Sequence, residues 1–595
     1  MEQRNLIFAV IASMIILIGY NFLWEQPRQR ARQAELERQA ALTQQATPPT
    51  ATGSGAQPAS GAATGAAPAA PAAVAGATLQ DRAAVIARGQ RVPIATPRLA
   101  GSVSLVGGRI DDLTLLDYHE TVDRKSPNIV LLSPPGTPDA YFVDYGWVAT
   151  DPAVKLPGPD TVWQAPAGAS LGVGQPLTLT WDNGAGLKFS RTYAIDDHYM
   201  FTVTQKVENG SATALSLFPY GRVLRTSAAK MAGVILLGGQ SQGAVGVFDG
   251  TLRNSSFDSL KSSTSEKPTT GGWMGFTDIY WLVSIIPDQK MPVTGTFRSV
   301  TQNEHLGFQV DYRATQPIAV PPGGTAVSES RAFGGPKVVD LLVGYAESLG
   351  ITKFDYAIDW GFFYLLTRPI FRVLDFLYGV VGNFGVAILL LTVSIKLLFL
   401  PLANRSYRAM SKMKALAPEM TKLRERYKED KAKLNTEMMA LYKREKVNPA
   451  AGCLPIVVQI PVFIALYSVL AVTIEMRHAP FFGWIRDLSA PDPTSILNLF
   501  GLLPWAIPDL SHLGPVHYIN IGVWPIIMGV TMFLQQKLNP APPDPVQARI
   551  FMLLPIIFTF MLGQFAAGLV IYWAWNNLLS IAQQRFIMWR MGVKA

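Results

Sequence analysis

The sequence FGVAILLLTVSIKLLFLPL, at residues 384–402, sets the context for interpreting the rest of the chain. It is long and apolar enough to cross a bilayer, since a membrane span needs about 20 such residues. Lys396 nevertheless lies in its second half, where a cation costs roughly 2.5–3.5 kcal/mol on insertion scales. Thr392 precedes it by one helical turn, on the same face. The pattern fits either a lysine that extends to the nearer interface or a hydrated, positively charged recess within the membrane.

The composition limits the classes of protein to consider. The chain has 595 residues, too many for one domain, and a formal net charge of +9. Its single cysteine, Cys453, excludes an internal disulfide framework. The six histidines form no HExxH motif, and the sequence contains no GxxxxGK[ST] loop. The sequence therefore gives no sign of a nucleotide motor. We expect no enzymatic activity, no catalytic residue, no metal, no cofactor and no small-molecule substrate.

The N-terminal region combines an apolar run at 6–23 with a long stretch of low complexity. No small-residue cleavage site follows the run, so we predict an uncleaved transmembrane anchor at 1–25. Residues 26–79 are rich in Ala, Pro, Gln, Gly and Thr. Such a composition cannot bury a core and predicts a disordered linker.

Residues 80–350 have the texture of strands and turns. Short runs rich in Val, Thr, Tyr and Phe alternate with Gly, Pro, Asn and Asp, as in 177–181, the turn DNG at 182–184, and 187–193. This pattern predicts an antiparallel β-sandwich. It is followed by YAIDWGFFYLLTRPIFRVLDFLYG, which predicts an amphipathic helix at 354–380. That helix would lie in the membrane interface or pack on the sandwich.

A basic segment follows the lysine-bearing span. Residues 403–452 hold thirteen Lys and Arg against six Asp and Glu, with apolar residues at three- and four-residue intervals. We predict a cytoplasmic helical hairpin at 403–450, interrupted at Pro418. It is either a solvated face or a docking surface for ribosomal RNA or anionic lipids. The docking cations would be Arg405, Arg408, Lys412, Lys414, Lys422, Arg424, Arg426 and Lys428.

Four further apolar runs, at 454–474, 518–534, 550–565 and 566–581, bring the predicted spans to six. The run at 496–507 is short and interrupted, so we interpret it as a membrane-surface loop. Gln459 lies within the first of the four runs. In the last run and just beyond it, polar residues recur every three to four positions and form a second polar stripe: Tyr572, Asn576, Ser580 and Gln583.

The distribution of Lys and Arg predicts the orientation, because positive loops stay on the cytoplasmic side. The basic hairpin and the C-terminal loops are then cytoplasmic, whereas the loop at 475–517 is external. Counting back places residues 80–350 outside the cell membrane and the N-terminus inside. Two other classes remain open: a polytopic transporter or channel that uses Lys396 as a counter-charge, and an intramembrane hydrolase. Ser394 and Lys396 face different sides of a helix, which disfavours a local Ser–Lys dyad.

Several motifs in this order resemble the YidC/Oxa/Alb family of membrane protein insertases, in its Gram-negative bacterial form. They are VGNFG at 381–385, EMMALYKREKVNP at 437–449, GCLPIVVQIPVFIALY at 452–467 and AGLVIYWAWNN at 567–577. The resemblance spans roughly 355–590, and GGWMGFTDIYWLVSIIP at 271–287 is similar to the periplasmic domain of that form. Two departures are Lys396 in place of the usual arginine and Trp573 within the usual tyrosine pair.

The resemblance implies a polytopic α-helical protein of the bacterial inner membrane. It would have six transmembrane helices, both termini in the cytoplasm, a large periplasmic all-β supersandwich, and a core of five spans at 383–590. The implied function is to insert, fold and assemble membrane proteins, alone or with the Sec translocon, through a hydrophilic groove open to cytoplasm and lipid. Implied partners are nascent membrane proteins, the Sec translocon, the ribosome, a targeting receptor and anionic lipids. The implied groove residues are Lys396, Thr392, Gln459, Tyr572, Trp573 and Asn576.

Overall fold

The computed structural model describes residues 79–227, 242–302, 305–361, 363–445, 447, 454–505, 519–539 and 545–590. The predicted anchor at 1–25 and residues 26–78 of the predicted linker lie outside the described residues. The described helices are α1 (Arg82–Arg88), α2 (Phe257–Ser262), α3 (Val339–Ser348), α4 (Tyr364–Val381), α5 (Phe384–Leu398), α6 (Leu400–Ala415), α7 (Ala417–Arg426), α8 (Lys431–Arg444), α9 (Leu454–Val472), α10 (Val523–Leu538), α11 (Pro545–Leu562) and α12 (Ala567–Arg590).

The described strands all precede α3. They are β1 (Arg91–Ala95), β2 (Leu99–Ser104), β3 (Arg109–His119), β4 (Asn128–Leu132), β5 (Tyr141–Ala149), β6 (Leu177–Asp182), β7 (Leu187–Ile195), β8 (Met200–Asn209), β9 (Leu215–Arg225), β10 (Gly243–Phe248), β11 (Thr251–Ser255), β12 (Ser265–Thr270), β13 (Trp273–Thr277), β14 (Trp281–Pro287), β15 (Pro292–Gln302), β16 (His305–Ala314), β17 (Ile318–Val320) and β18 (Thr325–Pro336).

Two antiparallel sheets form a β-sandwich, as the strand texture predicts. One has ten strands, in the order β1-β2-β3-β5-β9-β16-β15-β12, with β4 beside β3 and β17 beside β9. The other has eight, in the order β11-β10-β13-β14-β18-β8-β7-β6. The sheets touch where the Tyr145 hydroxyl of β5 donates to the Arg331 carbonyl of β18 at 2.9 Å. The sandwich therefore closes around one shared interior.

The hairpin of β6 and β7 shows how the sequence specifies these strands. Alternate residues of β7 are buried, from Leu187 through Phe189 to Ile195, so one face of the strand lies in the core. Gly184 takes a positive φ of 73° in the connecting turn, and the Asp182 carboxylate accepts its N–H at 2.8 Å. Strand alternation and turn chemistry agree here, and together they fix the register.

Arginines buried in the sandwich interior are matched by acceptors. The Arg222 guanidinium donates to the Asp144 carboxylate, with the shortest separation at 2.7 Å, and neither side chain is more than 5% exposed. Arg191 donates to the carbonyls of Gly108 at 2.8 Å and Tyr145 at 2.5 Å. The cost of removing these cations from water is thus offset by a carboxylate and backbone oxygens.

The 384–402 run is not one continuous helix, contrary to the expectation from its hydropathy. Helix α5 ends at Leu398, and α6 begins at Leu400 at an angle of 71° to it. Pro401 stands in the first turn of α6, where its missing N–H costs nothing but where it cannot continue α5. The bend therefore follows Lys396 by less than one helical turn.

Within the described ranges, no single helix is long and apolar enough to qualify as a membrane span, whereas α5 and α6 qualify jointly across their bend. Shorter apolar helical segments occur at Gln459–Val472 and Arg549–Leu562. Between α9 and α10, the run predicted as a surface loop contains a 3₁₀ helix, Ile496–Gly501, in its described part.

The sandwich contacts the segment that follows α9. The Glu475 carboxylate accepts the Val339 N–H at the start of α3, at 3.0 Å. Arg477 donates to the His119 carbonyl of β3 at 2.7 Å, and its guanidinium lies 5.5 Å from the ring of Trp281. These contacts tie the β-domain and α3 to the segment that follows α9.

Candidate functional site

Lys396 lies in the last turn of α5 and is half-buried. Its Nζ donates a hydrogen bond of 2.7 Å to the Ser580 Oγ of α12. The Ser580 hydroxyl in turn donates to the Asn576 carbonyl, one turn earlier, at 2.8 Å. The ammonium has three N–H donors, and the hydrogen bond to Ser580 uses one of them. The second polar stripe therefore meets the lysine, and Ser580 is the contact.

The charge of Lys396 has no acidic counterpart in its contacts. No ion pair of this lysine occurs within the part of the chain that the structure describes, and its hydrogen-bond acceptor is a neutral hydroxyl. The negative end of the α5 dipole, formed by the final carbonyls, lies nearby and favours a cation at this position. The arrangement leaves a positive charge able to attract a mobile carboxylate.

Gln459 and Tyr572 meet across α9 and α12. The Gln459 side-chain amide donates to the Tyr572 hydroxyl, and Tyr572 is only 2% exposed. The contact satisfies a buried phenol and an amide that would otherwise face apolar helix surfaces. Asn576, one turn further along α12, is 9% exposed. Two of the predicted groove residues are thus bonded to each other, and a third supplies the carbonyl beneath Ser580.

Thr392 and Trp573 are placed differently. Thr392 is 2% exposed, and its hydroxyl donates to the Ile388 carbonyl of its own helix at 2.7 Å. The Trp573 ring packs edge-on against Phe463, with ring centroids 4.6 Å apart. Neither side chain makes a polar contact with Lys396, Ser580 or Gln459. The structure brings Lys396 to the α12 stripe and leaves these two residues in packing roles.

Three further polar contacts join α12 to other helices, and of their members only Gln583 was selected from the sequence. Asn577 donates to the Thr531 hydroxyl of α10 at 3.2 Å, and Gln583 to the Asn404 amide oxygen of α6 at 3.0 Å. Gln584 donates to the Leu538 carbonyl at 3.1 Å. The recurrence of polar residues along α12 was the signal for Gln583 and Ser580. Their partners lie far away in the sequence, beyond the reach of local pattern.

Helices α6, α7 and α8 form the basic hairpin. The helical path is interrupted between α6 and α7, just before Pro418. Met420, Met438, Leu441 and Tyr442 form a small apolar core between α7 and α8. Of the eight predicted docking cations, Lys414 and Arg424 are half-buried and the others are exposed. Arg444 pairs with Glu419 at 2.9 Å across the hairpin. The apolar core directs the cations outward.

Among the residues that the structure describes, Ser394 has no hydrogen bond to a side chain that could act as a general base, as the nucleophile of a hydrolase would. That residue is exposed, and its hydroxyl donates to the Leu390 carbonyl of its own helix at 3.0 Å. Within the described residues, no group of three or more His, Cys, Asp or Glu side chains could hold a metal ion. The contacts of Lys396 leave its ammonium able to pair with an anion and to donate further hydrogen bonds.

Comparison with known proteins gives matches along the chain. Residues 376–594 match the family model described as 60Kd inner membrane protein, and residues 91–373 match the YidC periplasmic domain. Curated relatives named membrane protein insertase YidC include those of Methylorubrum extorquens, 49% identical, and Methylobacterium nodulans, 51% identical. Each alignment covers 100% of this chain and 96% of the relative.

Comparison with solved structures also gave matches. The crystal structure of an active YidC insertase with its first transmembrane domain resolved is 17% identical, with a TM-score of 0.35, and the match covers 83% of this chain and 91% of that one. A galactose mutarotase-like protein from Lactobacillus casei is 8% identical, with a TM-score of 0.27, covering 41% of this chain and 100% of that one. The assignment rests on the full-length relatives: the chain belongs to the YidC family of membrane protein insertases.

Proposed function

We propose that this insertase moves the polar ends of nascent membrane proteins past the hydrocarbon through a hydrated groove between α5, α9 and α12. Burying a charged or unpaired polar terminus in lipid is costly, and a partly wet path shortens the distance over which that cost applies. Lys396 attracts the carboxylates of the incoming segment for a short time. The apolar part of the client then moves sideways into lipid, driven by its own burial.

The observation that carries this proposal is the contact of Lys396 with Ser580. A cation held by a neutral hydroxyl keeps its attraction for an external anion, whereas an internal carboxylate would cancel it. Gln459, Tyr572 and Asn576 add polar groups on the facing helices. Thr392 and Trp573 would support the groove wall through packing. No covalent step and no bound nucleotide are needed.

The membrane arrangement belongs to the same proposal. Helices α5, α9, α10, α11 and α12, together with residues 1–25, would make six crossings of the inner membrane, with both termini in the cytoplasm and the sandwich in the periplasm. The excess of Lys and Arg at 403–452 supports this orientation. Short helices thin the bilayer around them, which further reduces the distance a polar segment travels.

The basic hairpin would dock the ribosome, a targeting receptor or anionic lipid, since its outward cations form a positive surface on the cytoplasmic side. The Sec translocon would act as a partner for larger clients. Deleting residues 405–446 should abolish insertion of ribosome-bound clients while the remaining helices stay folded. Normal insertion by the deletion variant would contradict the docking role.

The groove is tested by charge substitution in proteoliposomes that contain only this protein and a small, phage-coat-like client with an acidic tail. Lys396→Arg should retain insertion, whereas Lys396→Met should reduce the rate about tenfold and Lys396→Glu further, because like charges repel the tail. Lys537→Glu, an equal charge change at the end of α10, is the matched control and should have little effect.

A charge swap in the client sharpens the test. A client whose acidic tail residues are replaced by lysine should insert better with Lys396→Glu than with the unchanged protein. Equal insertion of both clients by both proteins would refute the electrostatic role. Solute flux through the same vesicles, without client insertion, would favour the transporter or channel alternative.

A further inference from the structure

A small cavity lies where the sandwich meets the start of α4. Its volume is about 210 Å³, and it is separate from the groove residues on α5, α9 and α12. The side chains that give it chemical character are one lysine, one arginine, one aspartate and three aromatic residues: Lys337, Arg368, Asp359, Tyr356, Trp360 and Tyr364. Insertion through the groove uses none of these residues.

Lys337 forms the cationic floor of this cavity. It directly follows β18, is only 1% exposed, and its Nζ donates to the Thr277 hydroxyl at 3.0 Å. Thr277 is the one hydrogen-bond partner of this ammonium among the residues that the structure describes. Burial lowers the pKa of Lys337 to about 8, while Asp359 and Asp278 favour its charged form. At neutral pH the buried amine is therefore mostly protonated, with donors to spare.

Trp360 contributes a second free donor. The residue is 6% exposed, and within the described part of the chain its indole Nε1 is buried without a hydrogen-bond partner. An unmade hydrogen bond at a buried donor costs about 1–3 kcal/mol, so such groups are normally satisfied. An acceptor bound in the cavity would satisfy both this N–H and the Lys337 ammonium.

The side of the cavity formed by α4 faces a surface suited to lipid. Arg368 and Tyr364 lie one turn apart on α4 and both line the cavity. The outer face of the same helix exposes Leu365 at 77%, Phe376 at 70% and Val380 at 67%. An exposed apolar helix face of this extent is typical of a helix in the membrane interface. A ligand here would have its polar group in the cavity and its apolar part along α4.

The acidic residue restricts the charge of that ligand. The Asp359 carboxylate accepts the Gly361 N–H at 3.0 Å and lines the same cavity. Arg368 is already paired with Asp355 at 2.5 Å. The cations and carboxylates at the cavity therefore balance, and Lys337 is the cation whose hydrogen bond goes to a hydroxyl and not to a carboxylate. A phosphodiester carries a single negative charge, so Asp359 repels it less than it would repel a dianionic phosphate monoester.

We propose that this cavity binds the phosphodiester of a membrane phospholipid, with Lys337 and the Trp360 indole N–H as donors and the acyl chains along the exposed face of α4. The site would anchor the start of α4, and with it the sandwich, to the outer leaflet. The inference rests on the proposed interfacial position of α4 and is independent of the groove around Lys396.

The test uses the full-length protein in detergent and short-chain lipid probes. Dihexanoyl-phosphatidylglycerol and dihexanoyl-phosphatidylethanolamine are titrated, with binding followed by native mass spectrometry and by the shift in thermal midpoint. Dihexanoylglycerol lacks the phosphate, and inorganic phosphate lacks the chains. Both phospholipids should bind, and each comparator should bind at least about tenfold more weakly, since a hydrogen bond to a charged group is worth about that factor.

The variants separate the two donors. Lys337→Met keeps the length of the side chain and should weaken phospholipid binding about tenfold; Trp360→Phe removes the N–H and should weaken it about threefold. Lys290→Met is the matched control, because this exposed lysine does not line the cavity, and it should bind like the unchanged protein.

Unchanged affinity in Trp360→Phe together with Lys337→Met, or equal binding of dihexanoylglycerol, would overturn the proposal. Inorganic phosphate binding as tightly as the phospholipids would make this a site for soluble anions and would also overturn it. Lys396→Glu should retain phospholipid binding while losing client insertion, so failure of the groove proposal and failure of this one give different results.

Discussion

Arg222 and Arg191 in the sandwich and Lys396 in the helical domain are held in opposite ways. In the sandwich, Arg222 meets Asp144 at 2.7 Å, and Arg191 meets backbone carbonyls, so each guanidinium has fixed acceptors. In the helical domain, Lys396 has one neutral hydroxyl, that of Ser580. A cation balanced by an internal carboxylate attracts other anions less than a cation held by a neutral hydroxyl. The groove proposed around Lys396 relies on the second arrangement.

The largest expected effect, on the stability of the sandwich, follows from breaking the ion pair of Arg222 and Asp144. Asp144→Ala removes the carboxylate bonded to the buried Arg222 guanidinium and should lower the free energy of unfolding of the sandwich by about 3–5 kcal/mol. Tryptophan fluorescence during chemical denaturation of the full-length protein measures the change. The control, Glu208→Ala, removes an exposed partner of Lys206 and should leave the midpoint unchanged. A similar midpoint for both variants would mean that the buried pair is not stabilising.

The carboxyl group of Glu475, at the junction of the two domains, gives the next expected effect on stability. One oxygen of Glu475 accepts the Val339 N–H, and the other is buried without a partner among the described residues. Burial raises the pKa of Glu475 from 4.5 to about 7. The unfolded chain releases this proton near pH 4.5, whereas the folded chain holds it until about pH 7. The stability of the junction is therefore greatest below pH 4.5, falls as the pH rises to 7, and is constant above.

The stability of the junction should fall by at most about 3 kcal/mol between pH 4.5 and 7. The fall is smaller if water reaches the carboxylate, because hydration stabilises the charged form. Hydrogen exchange at the amides of α3, measured from pH 4.5 to 7.5, reports it after correction for the intrinsic exchange rate. Glu475→Gln has no titrating group at this position and should flatten the profile. A pH profile identical in both proteins would assign the dependence to groups other than Glu475.

A smaller effect is expected from removing the hydroxyl that holds Lys396. Ser580→Ala deletes one hydrogen bond to a charged group that water can partly replace, so insertion should fall about fivefold, equivalent to about 1 kcal/mol. Ser580→Thr should retain the contact. Ser394→Ala, on the same helix as Lys396, is the control and should insert normally. Complete loss in Ser580→Ala would instead suggest that Ser580 and Lys396 act as a chemical dyad.

The smallest expected effect concerns the basic hairpin of α6, α7 and α8. Arg444 and Glu419 form an ion pair with both side chains more than half exposed. Solvent-exposed pairs contribute little, so Arg444→Ala should not measurably change thermal stability. The apolar core is the contrasting case, and Met438→Ala should loosen the hairpin because it leaves a cavity beside Met420. Limited proteolysis at the hairpin distinguishes the two variants.

Sequence patterns over a few residues predicted much of the fold, because short-range interactions determine these features. Strand alternation in β7, the turn at Gly184 and the outward cations of the hairpin each follow from neighbouring residues. The polar stripe of α12 was visible for the same reason. The partners within the site were not, because Lys396 and Ser580 lie 184 residues apart, and only the packing of helices decides which polar groups meet. Thr392 illustrates the limit: its face was predicted, but its own helix satisfies the hydroxyl.

The bend after Leu398 was also beyond prediction from hydropathy, since the apolar run continues through it, and it has a mechanical consequence. A single residue, Phe399, separates α5, which carries Lys396, from α6, the first helix of the basic hairpin. Because the link is so short, a change in the angle between the two helices would also move the end of α5. We therefore expect a body that docks on the hairpin to shift Lys396, which would couple the two proposed roles.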